Sequence, residues 1–297
     1  MNNDKLILTA GKRFALFICV FILCFLISSF IVGVITWKWG DDNSASLRIA
    51  TVLNNTFIFI IPALVTAVLI TRTPASFLSI LSKPNVKILF LSVLTLFVSM
   101  PMMSYIIEWN ASIDLPESFS GIERWMKECE SNAVAGTRAL LDGNSIGALI
   151  ISILIIGVFT GFSEELFFRG AMQKLFMTSR INSHIAIWCT AIIFSLMHFQ
   201  FYGFIPRVLL GAFFGYLVLW SGSLWIAIIV HAVNNSFVVI TKWMFNNSMI
   251  TADPNQITET TTPQYAMVTL SVVLTIIALY LIYCIGKNIN QTSYDEK

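Results

Sequence analysis

Residues 146–170 read IGALIISILIIGVFTGFSEELFFRG. The stretch 146–168 has the length that a helix needs to cross a bilayer, about 20 predominantly apolar residues. Its second half nevertheless carries Glu164 and Glu165, with Arg169 just beyond. A run this long is not the alternating ten-residue pattern of a membrane barrel strand. It predicts a membrane helix with ionisable groups placed where lipid should be.

Seven further stretches are long and apolar enough for the same reading: 14–36, 51–70, 88–107, 183–202, 204–220, 224–245 and 265–285. The fold class expected is therefore all-α, a polytopic integral membrane helix bundle of about eight spans. Composition agrees, since 57% of the 297 residues are hydrophobic and only 11% are charged, whereas soluble domains carry about 25% charged residues. That excludes an ordinary soluble enzyme and a disordered chain. A net charge of +2 gives no footprint for nucleic acid. The first stretch is too long for a cleavable signal peptide and runs into Trp37 and Trp39 as an interfacial belt. The cysteines form no Cys-x-x-Cys pair, and only Cys129 falls outside an apolar stretch.

Basic residues choose an orientation. With the N-terminus inside, the inner segments hold Lys5, Lys12, Arg13, Arg72, Lys83, Lys87, Lys174, Arg180, Lys287 and Lys297. The outer ones hold Lys38, Arg48, Arg124, Lys127, Arg138 and Lys242. The positive-inside bias places both termini in the cytoplasm, with the plasma (inner) membrane as the expected location. Within 109–145, Ile122, Trp125, Met126, Cys129, Ala133 and Leu140 fall near helical spacing, which predicts an amphipathic helix on the outer surface. The 246–264 segment, with Asp253-Pro254 and Pro263, reads as a flexible outer connection.

Ionisable side chains are unfavourable in a span by roughly 2.5–3.5 kcal/mol on insertion scales, so they mark function. Three sets stand out: Glu164, Glu165 and Arg169; Phe194 with His198; and His231 with Asn235. Glu165 and Arg169 are four apart and can neutralise each other. Glu164 lies about 100° round the helix and stays free to face a cavity. Such a carboxylate is a suitable general base for water. One histidine can hold the same water, while the second histidine and the carboxamide can donate to an oxyanion. The same atoms allow a second use, because Glu164, His198 and His231 would supply three ligands to a divalent metal such as zinc. No His-Glu-x-x-His is present and no span contains an aspartate. Ser223 paired with His231 stays open as a serine nucleophile. His184 and Arg207 read as edge residues, and Gly157-x3-Gly161 and Gly211-x3-Gly215 as close helix contacts.

Three motifs in this order, Glu164-Glu165-x3-Arg169, Phe194-x3-His198 and His231-x3-Asn235, resemble those of the CPBP family (CAAX protease and bacteriocin-processing, or Abi) of intramembrane proteases. The resemblance covers about residues 145–245 and implies a peptidase similar to type II CAAX prenyl endopeptidases. It implies that Glu164 and His198 activate water, that His231 and Asn235 stabilise the oxyanion, and that Glu165 and Arg169 complete the first motif. Whether a metal takes part is left open by the resemblance. The implied partners are membrane lipid and a membrane-tethered peptide or protein, prenylated or not. The organisation expected is an N-terminal part over 1–144, a catalytic core over 145–245, and an outer connection with the last span over 246–297. Other uses of the same residues are a non-catalytic scaffold or immunity-type protein, and a proton-coupled carrier. For Glu164 to reach mid-membrane, its helix must continue past Arg169 to about Thr178.

Overall fold

A computed structural model describes residues 6–40, 43–251 and 265–295, with the side chains of the last helix described as far as 289. Lys5, Lys297, Asp253-Pro254 and Pro263 lie outside the described residues. The order of helices is α1 (Ala10–Trp39), α2 (Ser44–Ile70), α3 (Val86–Val98), α4 (Met100–Ala111), α5 (Ser120–Leu140), α6 (Ile146–Thr178), α7 (Ser183–Leu196), α8 (Phe204–Ser221), α9 (Leu224–Asn246) and α10 (Tyr265–Asp295). Among the described residues there is no strand. The chain is an all-helical, multi-pass membrane protein.

Six helices (or helix runs) are long and apolar enough to cross a membrane, and the bent pair α3–α4 makes up to seven. Two of the eight expected spans are thus corrected. The 88–107 stretch breaks at Ser99 with a 50° bend, because Pro101 has no N–H and its ring crowds the preceding turn. Ser271 of α10 closes the gap: its hydroxyl donates to Val98 O at 2.6 Å and accepts from Met102 N at 3.3 Å. The 183–202 stretch ends as a helix at Leu196, after 14 residues, a rise of about 21 Å where the hydrocarbon core is about 30 Å. Beyond it Asn110 of α4 ties down the turn, donating from Nδ2 to Phe201 O at 3.0 Å and accepting from Ile205 N at 2.8 Å.

Helix α6 does run to Thr178, over 33 residues. At about 1.5 Å per residue it exceeds the hydrocarbon thickness and must tilt. Two wider, π-type stretches, Ile153–Thr160 and Leu166–Met172, flank the short α-helical Gly161–Glu165. Such stretches gather at functional positions. Side-chain caps start several helices, with Asn43, Asn85, Ser145 and Asn182 accepting from first-turn amides.

The two ends of the bundle are defined by cross-links. At the end bearing α1's start, Ile7 N donates to Ile70 O, Arg13 to Thr178 O and Trp225 Nε1 to Ile80 O. At the opposite end Arg48 donates to Asp142 O and Trp243 Nε1 to Asn144 O. The expected surface helix is α5, which lies on that second end, with Trp125 5.2 Å from the ring of Phe201.

The glycine pairs allow close helix contacts. A Cβ on Gly161 would sit 3.1 Å from the Ala232 backbone nitrogen in α9, whereas one on Gly121 in α5 would meet nothing within 4 Å. Gly161→Ala is expected to lower stability by about 1–3 kcal/mol through overpacking, while Gly121→Ala raises it by roughly 0.5–1 kcal/mol through helix propensity. Thermal unfolding of both variants in detergent checks the contrast.

Candidate active site

Helices α6, α8 and α9 meet around one carboxylate. Glu165 and Arg169 are one turn apart on α6, and both are fully buried. Arg169 Nη1 donates to Glu165 Oε1 at 2.8 Å, and Nη2 to Gly211 O of α8, also at 2.8 Å. His231 of α9 places Nδ1 2.8 Å from the same Oε1. A carboxylate paired with guanidinium only accepts, so Nδ1 carries a hydrogen and the ring is fixed with Nε2 turned the other way. There Nε2 lies 3.8 Å from Glu164 Oε2. Glu165 is thus the carboxylate paired with Arg169, and Glu164, one residue earlier and also buried, lies against the other side of the His231 ring.

Aromatic rings wall this cluster. Phe214 of α8 stacks on His231 at 4.8 Å and 24°, and Phe194 of α7 meets the same ring edge-on at 6.1 Å. The Arg169 guanidinium carbon is 4.7 Å from the Phe194 ring centre and 5.5 Å from that of Phe214. These π faces help to hold a cation out of water.

His198 stands in the turn after α7 rather than inside a helix. Its Nδ1 donates to Phe194 O at 2.7 Å, which leaves Nε2 as the acceptor nitrogen of the neutral ring. The ring packs against Phe194 at 4.8 Å, so Phe194 separates the two imidazoles. Asn235 lies one turn beyond His231; its Nδ2 donates to Ile156 O at 3.3 Å and its Oδ1 accepts from Asn234. The structure thus joins Glu164, Glu165, Arg169 and His231 directly. His198 and Asn235 border that cluster without hydrogen bonding to it.

The three residues that a metal would use if one were present are Glu164, His198 and His231. Among the described residues no set of three or more His, Cys, Asp or Glu side chains is arranged to hold a metal ion. His231 already uses one nitrogen for Glu165. Ser223 donates to Ser82 O at 2.6 Å and makes no pair with His231. His184 is exposed and bonded to the Tyr216 hydroxyl.

Arg207 is more than an edge residue. It donates to the Gln200 carbonyl at 3.1 Å and to its side-chain oxygen at 2.9 Å. Gln200 in turn donates to Glu130 of α5. Glu164 and His198 both count Arg207 among their charged neighbours. Arg207 also lines a cavity of about 390 Å³, with Met103 and Ile107 of α4, Leu210 of α8, and Asn234 and Phe237 of α9. The signal for it was the one that found the others, an ionisable residue inside an apolar stretch; its place next to Pro206 suggested a span edge instead.

A polytopic helical membrane protein with a buried carboxylate, imidazole and guanidinium cluster beside an apolar cavity is the class that fold and site define. Residues 146–237 match the family model described as type II CAAX prenyl endopeptidase Rce1-like, a likeness over about a third of the chain that supports the CPBP/CAAX protease reading of this part. Comparisons with curated proteins and with solved structures gave no match.

Removing Arg169 leaves Glu165 as a buried charge facing only His231. Arg169→Met is expected to destabilise by about 3–5 kcal/mol, and the double variant with Glu165→Gln to recover much of that loss. Thermal melts of the two single variants and the double variant test the coupling.

Proposed function

We propose that this protein is an intramembrane endopeptidase that hydrolyses a peptide bond of a membrane-tethered peptide or protein with activated water. The observation that carries the reading is the shared oxygen of Glu165. By accepting from both Arg169 and His231, it aims His231 Nε2 towards Glu164 and leaves the Glu164 carboxylate for substrate water. We also propose the plasma membrane as its location, with both termini in the cytoplasm.

Each step uses groups of the chain. Glu164 takes a proton from water as the water oxygen bonds to the scissile carbonyl carbon. His198 Nε2, an acceptor while Nδ1 is held by Phe194 O, accepts a hydrogen bond from the hydrogen that stays on the water oxygen and so fixes the attack direction. Negative charge then develops on the carbonyl oxygen. His231, held through Nδ1 on Glu165, turns Nε2 towards that oxygen and donates to it when Nε2 carries a hydrogen, and the second amide hydrogen of Asn235 adds a further donor. Collapse breaks the C–N bond, and the proton held by Glu164 passes to the departing nitrogen. Glu165 and Arg169 touch no reacting atom; they position His231.

The test is cleavage of lipid-anchored peptides by the purified chain. Glu164→Ala and His198→Ala are expected to lower kcat by about 10²–10⁴, the usual worth of a general base. Asn235→Ala should lose about 10²–10³, as for one oxyanion donor. Equal cleavage by wild type and the Glu164 and His198 variants would leave the scaffold reading in its place.

A further inference from the structure

The site is closed on one side and open on the other. Towards the end of the bundle that carries the termini, everything around it is solid. Leu224, Ile226, Ala227 and Val230 of α9 are fully buried, as are Phe214 and Leu217 of α8 and Phe168, Ala171 and Leu175 of α6. Past His231 the α9 side chains from Ala232 to Ser236 are all partly accessible. Glu164 lies on that boundary: α6 is buried without interruption from Ser163 to Gln173 and more open before it. The cavity that Arg207 and Asn234 line has the same polarity, although Glu164, His198, His231 and Asn235 are not among its lining residues. Its walls come from residues 96–107 of α3–α4, from 203–210 around the start of α8, and from 233–238 of α9. All of these are in the half of the bundle away from the termini. The turn that carries His198 is tied to Asn110, and through Gln200 to α5, on that same side.

The distribution of basic residues bears on which side of the membrane this is. Among the described residues the closed end holds Lys12, Arg13, Arg72, Lys83, Lys87, Lys174, Arg180 and Lys287, and the open end holds Lys38, Arg48, Arg124, Lys127, Arg138 and Lys242, with Arg207 beside its cavity. Among the described residues the 71–85 connection at the closed end contributes Arg72 and Lys83, with Lys87 at the start of α3, and no acidic residue accompanies them. Cytoplasmic loops retain basic residues, so the closed end faces the cytoplasm.

Resting on the protease reading above, we propose that the hydrolytic site opens to the extracytoplasmic side and takes an exported, membrane-attached peptide segment, and that a lipid-modified tail displayed in the cytoplasm is not its substrate. An extended chain anchored in the outer leaflet enters the cavity between α4 and α9, past Arg207, and reaches Glu164 from above. A chain displayed in the cytoplasm meets the packed floor formed by α6, α8 and α9.

Sidedness is read without catalysis by thiol labelling in intact cells. With Cys19, Cys24, Cys129, Cys189 and Cys284 replaced, single cysteines are introduced by Ile107→Cys in the cavity, Glu117→Cys on the open face and Lys83→Cys on the closed face. A membrane-impermeant maleimide is expected to label the first two in intact cells, and the third only after permeabilisation. Labelling of Lys83→Cys in intact cells overturns the proposal. So does an Ile107→Cys that stays unlabelled while Glu117→Cys reacts.

A quenched fluorogenic peptide with an N-terminal palmitoyl chain is then given to sealed vesicles of either orientation. Right-side-out vesicles should cleave it and inverted ones should not. Cleavage from the inverted side alone refutes the sidedness but keeps the protease. Absence of cleavage on both sides, with wild type equal to Glu164→Ala, counts against the protease, and the labelling still decides the sidedness.

Discussion

One carboxylate oxygen organises the centre of this molecule. Glu165 Oε1 receives a hydrogen from Arg169 and another from His231, with no exposure of either partner's charge to solvent beyond a few per cent. A charge in low dielectric persists only when it is paired and hydrogen-bonded. Satisfying Glu165 therefore demands that α6 and α9 lie at a fixed rotation and distance. Arg169 Nη2 extends the demand to the Gly211 carbonyl of α8. Glycines make the approach possible, because a side chain at Gly161 or Gly211 would press on the neighbouring helix. Electrostatic pairing and small-residue packing specify the same arrangement.

The wider turns of α6 belong to this solution. Thr160, at the end of the first, turns its hydroxyl back to Ile155 O and accepts from Asn55 of α2. The next residues place Gly161 against α9 and Glu164 and Glu165 on adjacent faces. An ordinary helix of this length would distribute its polar groups at a constant 100° step. Changing the step on both sides of the glutamates lets their short segment take its own rotation relative to the rest of α6.

Much of this was legible in residue spacing. The Glu165–Arg169 pair follows from an i, i+4 interval, and the placement of Glu164 off that pair from its neighbouring angle. The length of α6 followed from the depth that Glu164 had to reach. What escaped was set by partners distant in the chain. Nothing local in 183–202 says that the helix stops at Leu196; Asn110, some 90 residues earlier, anchors the turn there. Pro101 announces a break in 88–107, but not that Ser271 would satisfy both broken backbone groups. Arg207 reads as an edge residue until Gln200 and Glu130 are seen to hold it inward. Periodicity reports which face of a helix is buried; it does not report which polar atom from another helix will complete that face.

The Ser271 clamp has a consequence for how such an enzyme can change. The groups proposed for hydrolysis all lie on α6, on α9 and in the turn after α7, while one wall of the cavity that Arg207 lines is the bent α3–α4 pair. That bend is held by a hydroxyl from α10. On the proposed reading, part of what selects a substrate is thereby carried on helices that hold none of the hydrolytic groups. Substitutions around Met103, Ile107 or Ser271 can reshape what fits beside Glu164 while the buried charge network stays intact, so new substrates are open to such a protein without its chemistry being rebuilt.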